Sequence, residues 1–355
     1  MPDSYDDAHA VQRRRERAAA IHEFAAQFLQ GENEDLFEEL LLTLCRLSRD
    51  GAERGDVKLI NKAFGELRYA LKVFAPYRDV RKISIFGSSR TPEGHPDYVA
   101  AGKFARRLRE YGWMIITGAG DGIMKAGHGG AGRDASFGVA IRLPFEQRTN
   151  IIIADDAKLV NFRYFFTRKL VFMKEASAIA LFPGGFGTLD EGFEALTLVQ
   201  TGKAPLIPIV LVEQPGGTYW LQWRAYVAAE LLRNGMINEE DMHLFRITDD
   251  VEVAAREVVG FYHVYHSMRY VGDDLVLRVK RSVSPATLTR LNDEYRGILV
   301  EGRFEQIPPL AAENGELPDL PRIKLRFDRK SLGRLRRCID LLNLDPEPVD
   351  PGAEV

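Results

Sequence analysis

The sequence predicts an α/β fold: a Rossmann-like, doubly wound parallel sheet, preceded by helices and followed by a small α+β appendage. From about residue 80 to 272, short and continuously apolar strands alternate with helices, which is typical of a parallel sheet covered on both faces. Before residue 80, apolar residues recur at helical spacing and no strand pattern occurs. We therefore expect an N-terminal helical region over 1–79, a core over 80–272, an appendage over 273–344 and a disordered tail over 345–355.

Composition and charge exclude several classes of protein. The chain has 355 residues, with 48 Lys and Arg against 51 Asp and Glu, so its formal net charge is −3. This near balance argues against a nucleic-acid-coating or membrane-coating surface. The polar N-terminus does not resemble a signal peptide, and no apolar run is long enough to span a bilayer. Two cysteines are too few for a disulfide framework, so we expect a cytoplasmic protein without a membrane partner.

The N-terminal region is predicted to form three helices between residues 6 and 76. Leucine and phenylalanine recur near helical spacing from Phe24 to Leu47 and from Leu59 to Leu71, and Pro76 ends the third segment.

The core is predicted as alternating strands and helices, each strand ending near glycine or another turn residue. The predicted strands are Ile83–Phe86, Trp113–Ile116, Phe137–Ile141, Ala178–Phe182 and Leu206–Val212, with weaker signals at Ile151–Ile153 and Leu159–Val160. The predicted helices are Tyr98–Tyr111, Ile123–Gly132, Phe165–Glu175, Leu189–Gln200 and Tyr219–Arg233.

The appendage is predicted to contain strands and helices of its own. The strands are Leu275–Val279, Arg303–Ile307 and Arg322–Phe327, and the helices are Ser284–Gly297 and Leu332–Leu342. Its last part is rich in cations, which indicates a solvated face more than a surface for nucleic acid or a regulatory anion. These cations are Arg322, Lys324, Arg326, Arg329, Lys330, Arg334, Arg336 and Arg337.

Three loops of small residues follow three predicted strands: Gly87–Ser89, Gly118–Gly122 and Gly184–Thr188. Because ligands bind outside the carboxyl ends of the strands in an open parallel sheet, these loops should converge on one crevice. Glycine lets the backbone approach an anion, and the following helix N-terminus offers free N–H groups. A ligand with a phosphate group is therefore expected. The spacing of the glycines fits neither the dinucleotide fingerprint nor a P-loop, and each loop taken alone is equally consistent with a tight turn. The candidate binding residues are Gly87, Ser88, Gly118, Gly120, Gly122, Gly184, Gly185, Gly187 and Thr188.

Charged side chains lie next to the third loop. Asp190 and Glu191 occupy the first turn of the helix that follows it, and Arg168 and Lys169 lie on the helix before the same strand. An arginine and a carboxylate around a nucleotide form a plausible hydrolytic pair. The alternatives are simple compensation of the helix dipole by the acids and an ordinary surface arginine.

The segment Pro183-Gly-Gly-Phe-Gly-Thr-Leu-Asp-Glu191 resembles the Pro-Gly-Gly-x-Gly-Thr-x-x-Glu motif of the LOG (Lonely Guy) family. LOG proteins are cytokinin-activating nucleoside 5′-monophosphate phosphoribohydrolases and often carry the label lysine decarboxylase. Further matches are Phe86–Thr91, Thr117–Met124, Leu143–Gln147, Tyr164–Lys169 and Leu198–Gly202. The resemblance covers about residues 80 to 270 and is greatest to the longer bacterial members. It implies a modified Rossmann sheet and a homodimer or larger assembly.

The resemblance also implies roles for individual residues. Arg168 and Glu191 would form the catalytic pair, with Asp190 as the fallback for the carboxylate. The loop from Gly184 to Thr188 would hold the 5′-phosphate, and Glu146 would contact the substrate. Met124, Lys169 and Asp190 complete the expected substrate-binding set, and no metal or cofactor is expected.

The second loop departs from the common family pattern Gly-Gly-Gly-Pro-Gly-Ile-Met-Glu. Here the corresponding segment is Gly118-Ala-Gly-Asp-Gly-Ile-Met-Lys125. Ala119 changes the shape of the loop, and Asp121 and Lys125 change its charge, so the preferred base is left open.

The leading hypothesis is hydrolysis of the N-glycosidic bond of AMP-like nucleotides to free base and ribose 5-phosphate. The alternative is a non-catalytic nucleotide sensor or carrier on the same fold. Lysine decarboxylation is discounted because nothing resembles a pyridoxal-phosphate lysine site. His263 and His266 are predicted to share a helix face rather than to bind a metal.

Overall fold

The structure, a computed structural model, describes residue 12 and residues 15–16, 19–27, 31, 33–142 and 149–346. The chain divides into two compact units, residues 1–65 and residues 66–355. The helices are α1 Glu34–Arg49, α2 Arg54–Phe74, α3 Pro96–Glu110, α4 Ile123–Ala131, α5 Phe165–Glu175, α6 Phe186–Gln200, α7 Tyr219–Tyr226, α8 Val251–Gly260, α9 Pro285–Glu294 and α10 Leu332–Asn343. The strands are β1 Lys82–Phe86, β2 Met114–Thr117, β3 Ser136–Ile141, β4 Leu159–Phe162, β5 Ala178–Leu181, β6 Ile209–Val212, β7 Phe245–Thr248, β8 Tyr265–Val271, β9 Asp274–Val279, β10 Leu299–Ile307 and β11 Arg322–Phe327.

The described part of the first unit consists of helices joined by short turns. Residues 19–27 form one helical segment, and α1 and the first part of α2 follow. The charges of α1 match the helix dipole, with Glu34 and Asp35 in its first turn and Arg46 and Arg49 in its last. The predicted helical character of this region is confirmed for the described residues.

The second unit is built on a seven-stranded parallel sheet with the order β4-β3-β2-β1-β5-β6-β7. Strands β1, β2, β5 and β6 are buried along their whole length, because helices cover both faces of the sheet. The predicted Rossmann-like α/β class is confirmed. The chain order reverses between β1 and β5, so this sheet has its topological switch point there.

Two details of the core differ from the prediction. The weak strand signal at Ile151–Ile153 is a turn, because the carbonyl oxygen of Asn150 accepts hydrogen bonds from the nitrogens of Ile153 (3.3 Å) and Ala154 (3.1 Å). Strand β7 was not predicted. It lies at the sheet edge, and its half-buried residues lack the continuous apolar run of the inner strands.

The appendage contains a four-stranded antiparallel sheet with the order β10-β11-β9-β8. Its first strand, β8, begins at Tyr265, within the region predicted as core. Side chains from both sheets join one apolar cluster, which includes Ile85 of β1 and Leu277 of β9. The boundaries at 79 and 272 remain predictions.

The cationic run at 322–337 is only partly the solvated face that the sequence predicts, since Arg329, Lys330 and Arg337 are exposed but two other arginines are buried. Arg322 is fully buried, and its Nε lies 2.8 Å from Oε2 of the buried Glu313. Arg336 is also buried and pairs with Glu257 and Asp340. Acids distant in the sequence therefore neutralise cations that are clustered along the chain.

The predicted tail begins with a residue that is packed. Asp345 is buried, accepts hydrogen bonds from the backbone nitrogen (3.0 Å) and hydroxyl (2.7 Å) of Ser284, and pairs with Arg281. Residues 347–355, which carry most of the predicted disordered tail, lie outside the described residues.

Candidate active site

The three predicted loops meet at the carboxyl ends of β1, β2 and β5. The nitrogen of Ser88, after β1, donates a hydrogen bond to the carbonyl oxygen of Pro183, after β5 (3.1 Å). The nitrogen of Ile123, after the β2 loop, donates to the carbonyl oxygen of Ser88 (3.0 Å). The β1 loop therefore lies between the other two, at the switch point of the sheet.

Two glycines allow this close approach of the loops. A Cβ on Gly122, whose φ is +61°, would lie 2.2 Å from the carbonyl oxygen of Ser88. A Cβ on Gly184 would lie 2.1 Å from Oγ1 of Thr188 and 2.9 Å from the nitrogen of Ser88. A side chain at either position would separate the loops.

The third loop presents an open backbone at the start of α6. A Cβ added to Gly185 or Gly187 would meet nothing within 4 Å, and both residues are exposed. No side chain caps the N-terminus of α6. Its first N–H groups and the helix dipole therefore favour an anion here. Phe186 projects from this turn with 94% of its surface exposed.

Glu191 is the buried acid of the site. It lies in α6 with only 8% of its surface exposed. Burial raises the pKa of Glu191 to about 7, against the opposing charges of Arg168 and Lys169. A carboxyl group with a pKa near neutrality can exchange a proton at the working pH of most cells, which suits acid–base chemistry.

Arg168 faces the same place from α5. Burial lowers the pKa of its guanidinium, and the charge of Glu191 opposes that effect. Its Nε is buried and has no hydrogen-bond partner within the described ranges. Its Nη2 would lie 3.3 Å from a Cβ on Gly118, so the guanidinium reaches the β2 loop. A buried donor without a partner is uncommon in folded proteins and marks Arg168 as a residue of interest.

Lys169 and Asp190 form an ion pair at the edge of the site. The Nζ of Lys169 lies 2.8 Å from Oδ2 of Asp190 and 2.9 Å from Oε2 of Glu194. The side chain of Asp190 is 61% exposed. Water and Lys169 therefore stabilise the charge of Asp190, whereas Glu191 is desolvated. The two acids therefore differ in environment: Asp190 is exposed and ion-paired, and Glu191 is buried.

Met124 shapes the β2 loop. A Cβ on Gly118 would lie 2.8 Å from its Sδ, and a Cβ on Gly120 would lie 2.7 Å from its Cε. The thioether therefore packs against the bare backbone of both glycines. Gly87 has a similar relation to Ile123, whose side-chain carbons would lie 2.7 Å from a Cβ on this glycine.

The departures from the family pattern have structural consequences. Ala119 has a φ of +63°, a left-handed conformation that costs alanine more than glycine. The nitrogen of Asn150 donates to its carbonyl oxygen over 2.9 Å and holds this turn. Lys125 pairs with Glu93, with 2.6 Å between Nζ and Oε1, so its charge is directed toward an acid of the β1–α3 segment.

Sequence reasoning missed a buried polar network beneath the β2 loop. His128 is fully buried, and its Nε2 lies 3.0 Å from Oγ1 of Thr117 and 3.0 Å from the carbonyl oxygen of Phe137. The amide nitrogen of Asn150 donates to the carbonyl oxygen of Gly120 (2.9 Å) and lies 3.1 Å from Nδ1 of His128. Desolvation lowers the pKa of His128, so the ring is neutral at pH 7. A histidine within helix α4 gave no local signal of this role.

Sequence reasoning also missed Tyr219, the first residue of α7. Its hydroxyl donates a hydrogen bond to the carbonyl oxygen of Gly184 over 2.7 Å. Its own backbone nitrogen donates to Oε2 of Glu213 over 2.9 Å. The third loop is thereby fixed by a residue that no motif includes.

The predicted substrate contact Glu146 lies outside the described residues. His263 and His266 do not share a helix face, contrary to the prediction. Helix α8 ends at Gly260, three residues before His263, and His266 lies in strand β8. Between them, Oδ1 of Asn343 accepts hydrogen bonds from the backbone nitrogens of Val264 and Tyr265. Over the part of the chain that the structure describes, no group of three or more His, Cys, Asp or Glu side chains is arranged to hold a metal ion.

The fold and the site together define a Rossmann-like protein whose crevice combines an open phosphate-type turn with a half-buried arginine and a buried carboxylate. Residues 120–258 match the model of a protein family described as "Possible lysine decarboxylase". That description is the label often carried by LOG proteins. The match confirms the resemblance to the LOG family over this segment, which contains Arg168 and Glu191. No curated protein matches the sequence.

Several solved structures align with about half of this chain. The molybdenum cofactor carrier protein of Chlamydomonas reinhardtii aligns over 51% of this chain and 96% of its own, with 19% identity and a TM-score of 0.35. A molybdenum cofactor binding protein of Rippkaea orientalis aligns over 51% and 95%, with 17% identity and a TM-score of 0.36. DNA processing protein A of Helicobacter pylori, described as binding single-stranded DNA, aligns over 52% and 82%, with 13% identity and a TM-score of 0.36. Similarity at this level carries no argument about a ligand or reaction.

Among the described residues, no helix is both long enough and apolar enough to cross a membrane.

Proposed function

We propose that this protein hydrolyses the N-glycosidic bond of nucleoside 5′-monophosphates and releases the free base and ribose 5-phosphate. The observation that supports it most strongly is the buried Glu191, whose pKa is raised to about 7 beside Arg168 and the open turn at Gly185. The match of residues 120–258 to the LOG-type family model supports the same reaction.

The reaction breaks the bond between C1′ and the base nitrogen. The bonding electrons leave with the base, which takes a proton, and positive charge develops on C1′ of the ribose. Water then forms the new bond to C1′ and loses its proton. A carboxylate near the sugar stabilises the cation and accepts the proton of water, as in glycoside hydrolysis. The ionised form of Glu191 performs this role.

The 5′-phosphate fits the open turn of the third loop. The bare backbone at Gly185 and Gly187 leaves room for phosphate oxygens, and the uncapped start of α6 supplies N–H donors. Thr188, buried in the same turn, adds a hydroxyl.

Arg168 has a complementary role. Its unpaired Nε becomes satisfied when a phosphate oxygen or a nitrogen of the leaving base binds in the crevice. The guanidinium remains charged although burial lowers its pKa, because arginine starts far above neutrality. It therefore stabilises negative charge on the phosphate or the departing base.

The proposed reaction is tested with the purified protein and a panel of AMP, GMP, CMP and UMP, with ribose 5-phosphate as the measured product. We expect turnover of at least one monophosphate and little turnover of the matching nucleoside, because the nucleoside lacks the phosphate. Glu191→Gln should abolish turnover and keep nucleotide binding. Glu230→Gln, an exposed acid on another element, is the matched control and should retain activity.

The outcomes separate the enzyme from a sensor or carrier. If the protein binds monophosphates but releases ribose 5-phosphate from none of them, it is a nucleotide-binding protein and not a hydrolase. Equal turnover of adenosine and AMP would contradict the phosphate role of the third loop. Retained activity in Glu191→Gln with its loss in Asp190→Asn would move the catalytic carboxylate to Asp190.

We also propose that the active form is a homodimer or a larger homo-oligomer. Large apolar side chains are exposed next to the site on α5 and α6, a pattern that marks association surfaces. These residues are Phe165, Phe166, Leu170 and Phe193. Light scattering should give a mass of at least twice 40.0 kDa; a fully active monomer would contradict the proposal.

A further inference from the structure

A second cavity lies away from the candidate active site, among helices α8, α9 and α10. Its volume is about 550 Å³, which is within the range of small-molecule sites. None of the residues that line it belongs to the three glycine loops. Neither the family resemblance nor the proposed reaction gives it a role.

The lining of this cavity is predominantly cationic. Five arginines and one histidine face three acids, so the formal charge of the lining is 5 − 3 = +2 with histidine neutral. The cationic residues are Arg246, Arg256, His263, Arg290, Arg336 and Arg337. The whole chain has a net charge of −3, so the positive excess is local.

The three acids are all held by arginines of the lining. Glu257 lies 2.9 Å from Arg246 through Oε2 and pairs with Arg336 through Oε1. Arg336 also lies 3.0 Å from Asp340. The third acid, Glu294, lies 2.9 Å from Nε of Arg290. These pairs build the walls of the cavity, and the positive charge of Arg337 also acts on Asp340.

Two guanidinium groups remain for a ligand. Arg256 and Arg337 form no ion pair with a carboxylate of residues 33–142 and 149–346, and the guanidinium of Arg337 is hydrogen-bonded to the side chain of Tyr295 in the same lining. Both side chains are exposed at the cavity. Arginine forks bind the oxygens of a phosphate group in a bidentate manner, and two of them match the two charges of a phosphate monoester.

Part of the lining is aromatic and apolar. The guanidinium of Arg336 lies over the ring of Phe261, 4.6 Å from its centroid. Tyr295, Leu341 and Leu344 complete this side of the cavity. A planar or apolar group attached to the phosphate would contact these side chains, so an organic phosphate fits better than the inorganic ion.

We propose that this cavity is an accessory binding site for a small organic phosphate monoester, with Arg256 and Arg337 as its phosphate-binding residues.

The probe is phenyl phosphate, which has a dianionic phosphate and a planar ring but no N-glycosidic bond. Isothermal titration of the full chain should show one site that is lost, or weakened at least tenfold, in Arg256→Ala/Arg337→Ala. The matched control is Arg106→Ala/Arg224→Ala, which removes the same charge from two exposed arginines outside the cavity and should keep that site. Inorganic phosphate should bind the cavity more weakly than phenyl phosphate.

Phenyl phosphate could also bind at the third loop of the candidate active site, Gly184–Thr188. The number of binding sites in each variant therefore shows which of the two sites has been lost. Loss of one of two sites in the cavity variant, with the other retained, supports the proposal even if no nucleotide is hydrolysed. Equal stoichiometry and affinity in the cavity variant and the control variant would overturn it, as would an absence of binding by the wild-type protein. Unchanged melting temperatures of both double variants without ligand would show that the fold is intact.

Discussion

The backbone nitrogen of Ser88 donates a hydrogen bond to the carbonyl oxygen of Pro183 across the switch point of the parallel sheet, with 3.1 Å between the two atoms. The bond connects the loop after β1 to the loop after β5. It holds Gly184 so close to Ser88 that a Cβ on that glycine would lie 2.9 Å from the Ser88 nitrogen. The phosphate-type turn and the β1 loop are therefore in direct backbone contact.

The pH dependence of turnover should follow Glu191. Its pKa is raised to about 7 by burial in the free protein, and the ionised form is the active one, so kcat/KM should rise with pH through about 7 and then reach a plateau. The kcat/KM profile is the proper readout because it reports the pKa values of the free protein and free substrate; the second ionisation of the substrate phosphate adds a separate step at about pH 6. A kcat/KM that falls over the same range would mean that protonated Glu191 acts as a general acid.

Glu191→Gln should stabilise the fold at pH 8 but not at pH 4. The folded state holds the proton of Glu191 up to about pH 7, whereas the unfolded chain releases it near 4.5. Wild-type stability from this group therefore falls as pH rises between those values, by up to about 3 kcal/mol. Thermal melts at the two pH values measure this. An equal or lower melting temperature for Glu191→Gln at pH 8 would mean that the carboxylate is well solvated.

Gly184→Ala and Gly185→Ala should behave differently. A Cβ on Gly184 would overlap Thr188, whereas a Cβ on Gly185 meets open space. We expect Gly184→Ala to lower the melting temperature and activity together. Gly185→Ala should keep the wild-type melting temperature and raise the KM for a monophosphate, because its methyl group occupies the space proposed for phosphate. Identical melting temperatures for the two variants would contradict the tight packing at Gly184.

Tyr219→Phe should weaken catalysis through the third loop. It removes the hydroxyl that donates to the carbonyl oxygen of Gly184, a bond worth about 1 kcal/mol, so kcat/KM should fall roughly fivefold to tenfold. Tyr226→Phe, which changes an exposed tyrosine at the end of the same helix, is the control and should have no effect. Equal kcat/KM values for the two variants would show that the loop keeps its position without Tyr219.

Glu313→Gln should destabilise the appendage by about 3–5 kcal/mol, because it leaves buried Arg278 and Arg322 without their shared carboxylate. Burial alone would raise the pKa of Glu313, but hydrogen bonds from the two arginines outweigh it and hold the pKa at about 2. This stabilisation is complete above about pH 4.5 and is lost as pH falls toward 2. Denaturant unfolding should show the deficit at pH 7 and a smaller one at pH 3. Glu301→Gln, an exposed acid of β10, should cost little by comparison.

The local pattern of the sequence predicted the parallel core well, because buried strands are continuously apolar and glycine marks the ends that approach a ligand. It missed β7 and β8, whose half-buried residues give no such run. It also assigned Ile151–Ile153 as a weak strand, since three β-branched residues resemble one even where Asn150 closes a turn. Hydrophobic periodicity predicts the secondary structure of a segment only when one face of that segment is consistently buried.

The sequence by itself determined the Rossmann-like class, the three phosphate-type loops and the choice of Arg168 with an acid of the first turn of α6, because these follow from local order and motif. Only the tertiary structure distinguishes the environments of the two acids: adjacent residues of a helix point in different directions, so Asp190 is exposed and paired with Lys169, while Glu191 is buried near the charges of Arg168 and Lys169. Tertiary structure also decided which cations form ion pairs: Arg322 and Arg336 pair with acids distant in the sequence, whereas Arg337 is hydrogen-bonded to Tyr295. Burial and long-range pairing set the charge of a side chain, and neither is encoded in its immediate sequence neighbours.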